Sequence, residues 1–248
     1  MPHDRVTPRH MLSRRLLVPV CLIGLLVAHT SVAEPDATPR EASVRPGANE
    51  VFLSDDLDVE RFAGIFEGES REIYVERARI VEALDLSPGM AVADIGAGTG
   101  LFLPALDRAT GPGGRVYAVD IAPKFIEHLR ERVTREQLGR VEVVKALEDS
   151  VELPAASVDQ AFVCDTYHHF EYPRSTLASL YAAIRPGGSL VIVDFERVPG
   201  QSREWVLEHV RAGKQVFRRE IESAGFQFDA EVPVEGLKEN YVLRFRRP

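Results

Sequence analysis

Residues 90–100 read Met-Ala-Val-Ala-Asp-Ile-Gly-Ala-Gly-Thr-Gly. The first six residues form a short, mostly apolar run of the kind found in a central parallel strand. Gly96, Gly98 and Gly100 then let the backbone turn sharply and approach a ligand where a side chain would collide. In the dinucleotide-binding fingerprint the third glycine comes one position later, and here that position is Leu101. The stretch therefore predicts a strand followed by a ligand-binding turn whose glycine spacing differs from that of the dinucleotide-binding fingerprint.

Apolar runs and helical patterns alternate after this turn. The predicted strands cover residues 115–119, 141–144, 158–164 and 189–195, and the predicted helices include 75–86, 101–109, 173–184 and a long final helix at 203–224. Strand and helix alternate through five strands with short connections, which predicts a parallel sheet covered on both faces. The last two apolar runs, 226–232 and 241–245, have no helix between them and are expected to pair as an antiparallel hairpin.

Three motifs carry a resemblance to a known family. They are the run from Asp94 to Gly100, Asp120 at the end of the second strand, and Arg-Pro-Gly-Gly-Ser-Leu at 185–190. Their order resembles that of the class I S-adenosylmethionine-dependent methyltransferases. The resemblance implies an α/β, Rossmann-like fold with a mostly parallel seven-stranded sheet, helices on both faces and an antiparallel C-terminal hairpin.

The resemblance also implies a role for individual residues toward S-adenosyl-L-methionine. Asp94 and the glycine turn would hold the methionine part. An acidic residue at the second strand end can accept two hydrogen bonds from a ribose diol, and Asp120 stands there. Glu148 and Asp149 would border adenine, although a solvated acidic turn is the alternative for that pair. The implied cofactor contacts are Asp94, Gly96, Gly98, Gly100, Asp120, Ile121, Glu148, Asp149 and Asp165.

The loop after the fourth strand is the candidate catalytic segment. Asp165, Tyr167, His168 and His169 lie where the methyl acceptor would approach, and a histidine near neutral pKa can take a proton from a hydroxyl or an amine. The alternative is that the loop only shapes the pocket and one histidine caps the next helix. The local spacing matches no metal-site pattern, so no metal is expected, and His209 is expected at the surface.

The acceptor is expected to be a small molecule of apolar or aromatic character. Aromatic residues are frequent in the candidate lid helices at 58–89 and in the loop after the fourth strand, where they are Phe62, Phe66, Tyr74, Tyr167 and Phe170. Two other functions remain open at this point: a protein that binds the cofactor without catalysis, and a Rossmann-like NAD(P) oxidoreductase. The glycine spacing and the lack of a candidate Tyr-Lys hydride relay count against the oxidoreductase.

The N-terminus has the pattern of an export signal. Arginines at 5, 9, 14 and 15 precede an apolar run at 16–28 and small residues that end at Ala33, which predicts a signal peptide over 1–33 and a periplasmic protein. Arg14 and Arg15 allow a twin-arginine signal. The apolar run is short for a bilayer span, which favours a cleaved signal peptide. A retained membrane anchor is the alternative. Residues 34–57 are expected to be a flexible linker before the domain at 58–248.

Charge and cysteine content exclude other classes. Without residues 1–33 the formal charge is about −11, from 26 basic and 37 acidic side chains, and phosphate backbones require a basic face. No nucleic-acid partner is therefore expected, and membrane contact is expected only through the signal segment. Cys164 is the single cysteine left after cleavage, so the domain has no internal disulfide and depends on its core. The sequence carries no signature of a particular oligomer.

Overall fold

The computed structural model describes residues 41–248, in which a single twisted sheet separates two layers of helices. The strands are β1 (Ala91–Ile95), β2 (Arg115–Asp120), β3 (Val141–Lys145), β4 (Val158–Cys164), β5 (Ile184–Phe195), β6 (Gln227–Glu231) and β7 (Asn240–Arg246). Their spatial order is β3-β2-β1-β4-β5-β7-β6. β1 to β5 pair in parallel, and β7 pairs antiparallel with both β5 and β6. The predicted fold, including the antiparallel C-terminal pair, is confirmed.

The helices follow the alternation expected from the sequence. They are α1 (Glu50–Leu53), α2 (Val59–Phe66), α3 (Glu72–Val75), α4 (Arg77–Ala83), α5 (Leu103–Thr110), α6 (Pro123–Arg135), α7 (Pro173–Ala183), α8 (Glu204–His209) and α9 (Lys214–Ser223). A 3₁₀ turn at Tyr167–His169 follows β4. Proline opens α6 and α7, where its missing N–H would have no intrahelical partner.

β1 is the central strand on which the site is built. All five of its residues are buried, and it pairs with β2 on one side and β4 on the other. From β1 the chain continues to β2 and β3 on one side, and it then returns to β4 and β5 on the other side. A crevice therefore opens at the carboxyl ends of β1 and β4. The glycine turn and the loop after β4 therefore face each other across that crevice.

Apolar residues on both faces of the sheet fix these loops. One face packs Val119, Val163 and Ile192 into a core cluster, and the other packs Val92 and Val191 into a second cluster. Burial on both faces explains why the strands read as continuous apolar runs rather than as alternating ones. The loops at the carboxyl edge are thus anchored to a scaffold that is packed from both sides.

The long final helix expected at 203–224 is two helices. α8 ends at His209, Val210 adopts an extended backbone, and α9 begins after Gly213. Arg197 accounts for the break because its guanidinium donates to the carbonyls of Leu207 and Val210, both at 2.8 Å, at the end of α8. These carbonyls are satisfied by a side chain instead of by a continuing helix.

Two other element boundaries differ from the prediction. The helix expected at 75–86 is divided into α3 and α4 with Glu76 between them, and it ends before Asp85, which has a positive φ of 56°. β5 begins at Ile184, five residues before the predicted start, because Ile184 pairs with Val158 of β4 before a register shift. The core of each element was correctly located from its apolar pattern.

The described part of the expected linker, residues 41–57, makes specific contacts with the rest of the domain. The carboxylate of Glu41 accepts hydrogen bonds from the backbone N–H groups of Arg174 and Ser175 at 3.0 and 2.7 Å, in the first turn of α7. Ser43 donates to Glu171 at 2.8 Å. Polar and charged composition indicated a solvated chain, but these side chains cap a helix and bond buried groups instead.

The N-terminal predictions concern a different part of the chain. The signal peptide at 1–33 and the first part of the linker, 34–40, lie outside the described residues. Within 41–248, none of the helices combines the length and the apolar character needed to cross a membrane.

Candidate active site

A cavity of about 690 Å³ lies at the carboxyl edge of the sheet. Its floor is the glycine turn and the ends of β1, β2 and β4, and its other walls come from the N-terminal helices, the loop after β4 and α8. The volume falls in the range of pockets that hold a ligand of drug-like size. Of the predicted site residues, Asp94, Gly96, Gly98, Asp120, Ile121, Glu148, Asp165, His168 and His169 line it.

The glycine turn is held in place from below and from the side. The N–H groups of Gly96 and Ala97 both donate to the carbonyl of Val119, at 2.8 and 3.0 Å. Gly96 has a φ of +72°, and a Cβ at this position would overlap the side chain of Thr166, in the loop after β4. Glycine is therefore required here both by the backbone conformation and by the close approach of the two loops.

Gly100 has a different role from the other two glycines. It does not line the cavity, and a Cβ at this position would come within 3.0 Å of the side chains of Leu103 and Leu129. Its small size lets α5 and α6 pack against the turn. Gly100 thus packs the turn against both helices, and its contact with the cofactor stays a prediction.

Asp120 ties the second strand to the glycine turn. One carboxylate oxygen accepts from the N–H of Gly98 and the other from the N–H of Ala122, both at 2.8 Å. Burial raises the pKa of Asp120 to about 6, and these backbone hydrogen bonds oppose that rise. Each carboxylate oxygen can accept a further hydrogen bond, so the side chain can brace the turn and still accept from a diol.

Asp94 is a buried acid with an unsatisfied oxygen that lies at the cavity. It is 2% exposed, lines the cavity and has no hydrogen-bond partner for Oδ2. Burial, with the nearby charge of Asp120, raises its pKa to about 7. A buried carboxyl without a partner is costly, so a cationic or N–H group of a ligand would relieve it. This orphaned oxygen and the bare backbone of the turn fit the amino-acid end of S-adenosylmethionine.

The two residues expected at adenine are separated by the structure. Glu148 lines the cavity and Asp149 does not. The segment is held because the Glu148 carbonyl accepts from the hydroxyl of Thr176 at 3.3 Å. Ile121, which follows Asp120, also lines the cavity.

Aromatic rings form the wall opposite the strands. Phe52, Phe62, Phe66 and Phe125 contact one another with ring centroids 5.3 to 6.2 Å apart, and all four line the cavity. Tyr74, which the sequence placed in the same group, does not line it. The residues at 58–75 therefore cover the cavity, and their role as a lid stays a prediction.

Asp165 is committed to partners within the protein. Its carboxylate forms an ion pair with Arg71 and accepts from the amide of Asn240 at 2.6 Å. Its backbone has a positive φ of 47°, which is uncommon for a residue with a side chain. Burial raises its pKa to about 7 in spite of the Arg71 charge. The residue connects the N-terminal helices and β7 to the cavity edge.

Tyr167 points into the core instead of the cavity. Its side chain is fully buried and its ring lies 4.9 Å from that of Phe217, while its hydroxyl donates to Glu220 at 3.0 Å. The 3₁₀ turn at Tyr167–His169 sends neighbouring side chains in different directions, and only the two histidines reach the cavity. The position of Tyr167 does not support the catalytic role expected from the sequence.

His168 and His169 meet a third histidine that local sequence spacing placed at the surface. His209, at the end of α8, has its Nε2 3.2 Å from Nε2 of His169, and its ring stacks on Trp205 with centroids 4.8 Å apart. His168 contacts the buried carboxylate of Asp194 through Nδ1 at 2.8 Å. Burial lowers the pKa of His168 to about 3, of His169 to about 2 and of His209 to about 4. All three rings are therefore neutral near pH 7, and by themselves they are weak proton acceptors.

Sequence reasoning missed the partners that organise the cavity. Arg71, Asp194 and His209 each come from a segment distant from the loop they contact. No local motif marks them, since each is recognised only by its contact across the fold. Trp205, which stacks on His209, is the single tryptophan of the chain, and that rarity is the one signal in the sequence that could have indicated this part of the site.

Comparison with known proteins identifies the family of the central region. The methyltransferase-domain family matches residues 93–192, which include the glycine turn, Asp120 and the histidine loop. A solved S-adenosylmethionine-dependent methyltransferase from Aquifex aeolicus superposes with a TM-score of 0.68 at 26% identity, covering 77% of this chain and 99% of that protein.

Curated relatives agree with this assignment. Nocamycin O-methyltransferase from Saccharothrix syringae is 31% identical over 63% of this chain and 56% of its own length. A ubiquinone/menaquinone biosynthesis C-methyltransferase from Bordetella parapertussis is 33% identical over 45% of this chain and 43% of its own. The chain spans about half the length of the curated relatives it matches. These matches support a class I S-adenosylmethionine-dependent methyltransferase, and S-adenosyl-L-methionine is the common cofactor of that family.

Proposed function

We propose that this class I methyltransferase transfers the methyl group of S-adenosylmethionine to a small aromatic or apolar acceptor. The observation that carries the proposal is a single cavity with two unlike ends. One end has the glycine turn with Phe66 beside it, Asp94 and Asp120, and the other has Phe52, Trp205 and the histidines. A polar, acidic end suits the cofactor and an aromatic end suits a flat organic acceptor.

The chemistry that the cofactor supplies is a methyl carbon on a positively charged sulfur, which is a good leaving group. The protein has to orient the reactants and keep water out. In this chain Asp120 would accept from the ribose hydroxyls, and the unpaired oxygen of Asp94 would accept from the amino group. The ring cluster of Phe52, Phe62 and Phe66 would exclude water from the cavity.

A small-molecule acceptor is supported by the shape of the cavity and by the relatives. Helices α1 to α3 lie over it, and Glu67 links the cover to the floor by accepting from Thr99 at 2.8 Å and from Arg132 at 2.7 Å. Glu72 similarly accepts from the backbone of the β6–β7 connection. A covered cavity favours a small acceptor, which can enter it completely, and disfavours a macromolecule, which would bind by a large surface. Nocamycin and the ubiquinone/menaquinone pathway, named in the relatives, are consistent with such acceptors.

The experiment is a methyl-transfer assay on the full chain with a panel of small phenols, quinols and apolar amines. We expect at least one aromatic acceptor to raise the release of S-adenosylhomocysteine well above the rate without acceptor and to gain one methyl group by mass spectrometry. S-adenosylmethionine binding without release above that background on any acceptor would instead favour the non-catalytic binding protein. Hydride transfer with NAD(P) would favour the oxidoreductase.

We also propose that the chain is exported to the cell envelope. The support is the pattern of residues 1–33, in which arginines precede an apolar run and small residues. Fusion of residues 1–40 to a reporter that is active only outside the cytoplasm should give activity, and N-terminal sequencing of the exported chain should begin at Glu34. Reporter activity equal to that of a fusion lacking these residues would contradict export.

A further inference from the structure

The three histidines at the acceptor end of the cavity form a compact triangle. Their ring centroids are 4.4 Å apart for His168 and His169, and 5.0 Å for each of these with His209. One ligand atom from each ring can be chosen so that all three lie within 4.8 Å of one another. His209 comes from α8, about 40 positions further along the chain than the other two. The triangle is therefore a product of the fold and not of a local sequence motif.

The hydrogen bonds around the triangle fix which ring nitrogen is available. Nδ1 of His169 lies 3.2 Å from the carbonyl of Ala48, and a carbonyl can only accept, so Nδ1 carries the proton. Neutral His169 then has its lone pair on Nε2. That nitrogen faces Nε2 of His209 at 3.2 Å. Two imidazole nitrogens bound to one tetrahedral ion at about 2.05 Å each would be roughly 3.3 Å apart, close to this separation.

His168 has the carboxylate partner that metal-binding histidines commonly have. Asp194 is fully buried and contacts Nδ1 of His168 at 2.8 Å. The same carboxylate accepts from the backbone N–H groups of Phe195 at 2.7 Å and His168 at 3.2 Å. A carboxylate on one ring nitrogen orients the ring and makes the other nitrogen a better ligand. Nε2 of His168 is the nitrogen left for an ion.

The surroundings match a site with an open position. The three histidines line the cavity, so an ion held by them would face the space where the acceptor is proposed to bind. Trp205 and Phe195 pack against His209 and His168. Three protein ligands with a fourth position open is the arrangement of catalytic zinc sites.

We propose that His168, His169 and His209 bind one divalent transition-metal ion, with Zn²⁺ as the ion their nitrogen ligands suit, and that its open position takes an oxygen of the acceptor. The second part rests on the proposed methyl transfer. The ion's charge would lower the pKa of a bound hydroxyl, whose proton would leave to the solvent as the acceptor binds. An oxygen lone pair then forms the bond to the methyl carbon, and the carbon–sulfur electron pair returns to sulfur. The acceptor class is accordingly a phenol or another hydroxyl compound.

The test is metal titration of the untagged full chain after chelator treatment. Calorimetry with Zn²⁺ should give a site of micromolar affinity or tighter that is weakened at least tenfold in His209→Gln. Co²⁺ should give visible absorption of a low-coordinate site and should quench Trp205, the only tryptophan, because that ring is stacked on a proposed ligand. His128→Gln is the matched control, since this histidine lies on α6 and does not line the cavity.

Variants distinguish ligation from a structural role. We expect His209→Gln and His169→Gln to weaken Zn²⁺ binding at least tenfold, Asp194→Asn to weaken it about 10- to 100-fold, and His128→Gln to change it less than twofold. Titration with S-adenosylhomocysteine shows whether each variant still folds its cofactor end. Zn²⁺ binding in the wild type that His209→Gln leaves unchanged, or no binding at this site in a chain that binds S-adenosylhomocysteine, would overturn the metal site. Zn²⁺ binding without S-adenosylhomocysteine binding would instead contradict the proposed function and leave the metal site standing.

Discussion

The two ends of the cavity are built in different ways. At the cofactor end, the backbone of one short segment is exposed to the ligand, and Asp120 braces it from the next strand with two hydrogen bonds of 2.8 Å. At the acceptor end, side chains from α1, the loop after β4 and α8 converge from distant parts of the chain. The first end follows from a local motif that a parallel sheet supports. The second depends on tertiary packing, so a shared fold can carry different acceptors.

The largest expected effect is at the brace of the cofactor end. Asp120→Ala should weaken S-adenosylhomocysteine binding on the order of 100-fold or more. The change removes the carboxylate that accepts from the N–H groups of Gly98 and Ala122 and that would accept from the ribose hydroxyls. A hydrogen bond to a charged group is worth about 1.5–3 kcal/mol. Calorimetric titration measures the affinity. Asp149→Ala is the control, because Asp149 does not line the cavity, and an equal loss there would show a general effect of removing an acid.

A glycine substitution should separate contact from conformation. Gly96→Ala should weaken S-adenosylhomocysteine binding by roughly 10- to 30-fold, since a Cβ would overlap Thr166 and a φ of +72° strains any residue with a side chain by about 1–2 kcal/mol. Gly113→Ala is matched in backbone strain, with a φ of +85°, but a Cβ there meets nothing within 4 Å. It should lower stability without a change in affinity. Equal affinity losses in the two variants would argue that the glycine turn is not a close-contact site.

The pKa of Asp94 gives the cofactor end a pH dependence. Its raised pKa of about 7 means that the free protein carries a proton on this carboxyl below that pH, whereas a cationic ligand group favours the carboxylate. Binding of S-adenosylhomocysteine should therefore release a proton, and its affinity should fall by up to about tenfold per pH unit below pH 7 and level off above it. Asp94→Asn should flatten this dependence. A slope retained in that variant would assign it to another group.

The smallest effect is expected where the acceptor end meets the core. Tyr167→Phe should leave cofactor affinity and methyl transfer within about twofold of the wild type, because its ring is buried against Phe217 and its hydroxyl bonds Glu220. Loss of that hydrogen bond should lower the free energy of unfolding by about 1 kcal/mol. Thermal and denaturant unfolding measure the cost. A large fall in transfer at unchanged stability would return Tyr167 to the catalytic residues.

The sequence predicted the regions whose structure is decided locally. The glycine turn, Asp120 at a strand end and the antiparallel C-terminal pair follow from apolar runs, glycine conformations and strand-end chemistry. The break between α8 and α9 depends instead on carbonyls bonded by Arg197 from another segment. Helical periodicity continues across such a break, so the pattern alone favours one long helix.

The same distinction explains the errors at the acceptor end. Tyr167 and His168 are adjacent, but a 3₁₀ turn directs one ring into the core and the other to the cavity. His209 looked like a surface residue because the ring it meets, that of His169, lies 40 positions away in the chain. Residues 41–57 looked like a solvated linker because their polar side chains find their partners only in the folded protein. Each error involves a contact between segments that sequence spacing does not relate.

The central claim is that one cavity has a cofactor end for S-adenosylmethionine next to a separately built acceptor end. The most direct measurement is calorimetric titration of the full chain with S-adenosylhomocysteine and, in parallel, with NAD⁺. The account predicts one site for S-adenosylhomocysteine with micromolar affinity and no measurable heat of binding for NAD⁺. Well-folded protein that binds NAD⁺ but not S-adenosylhomocysteine, or that binds neither compound, would contradict the account.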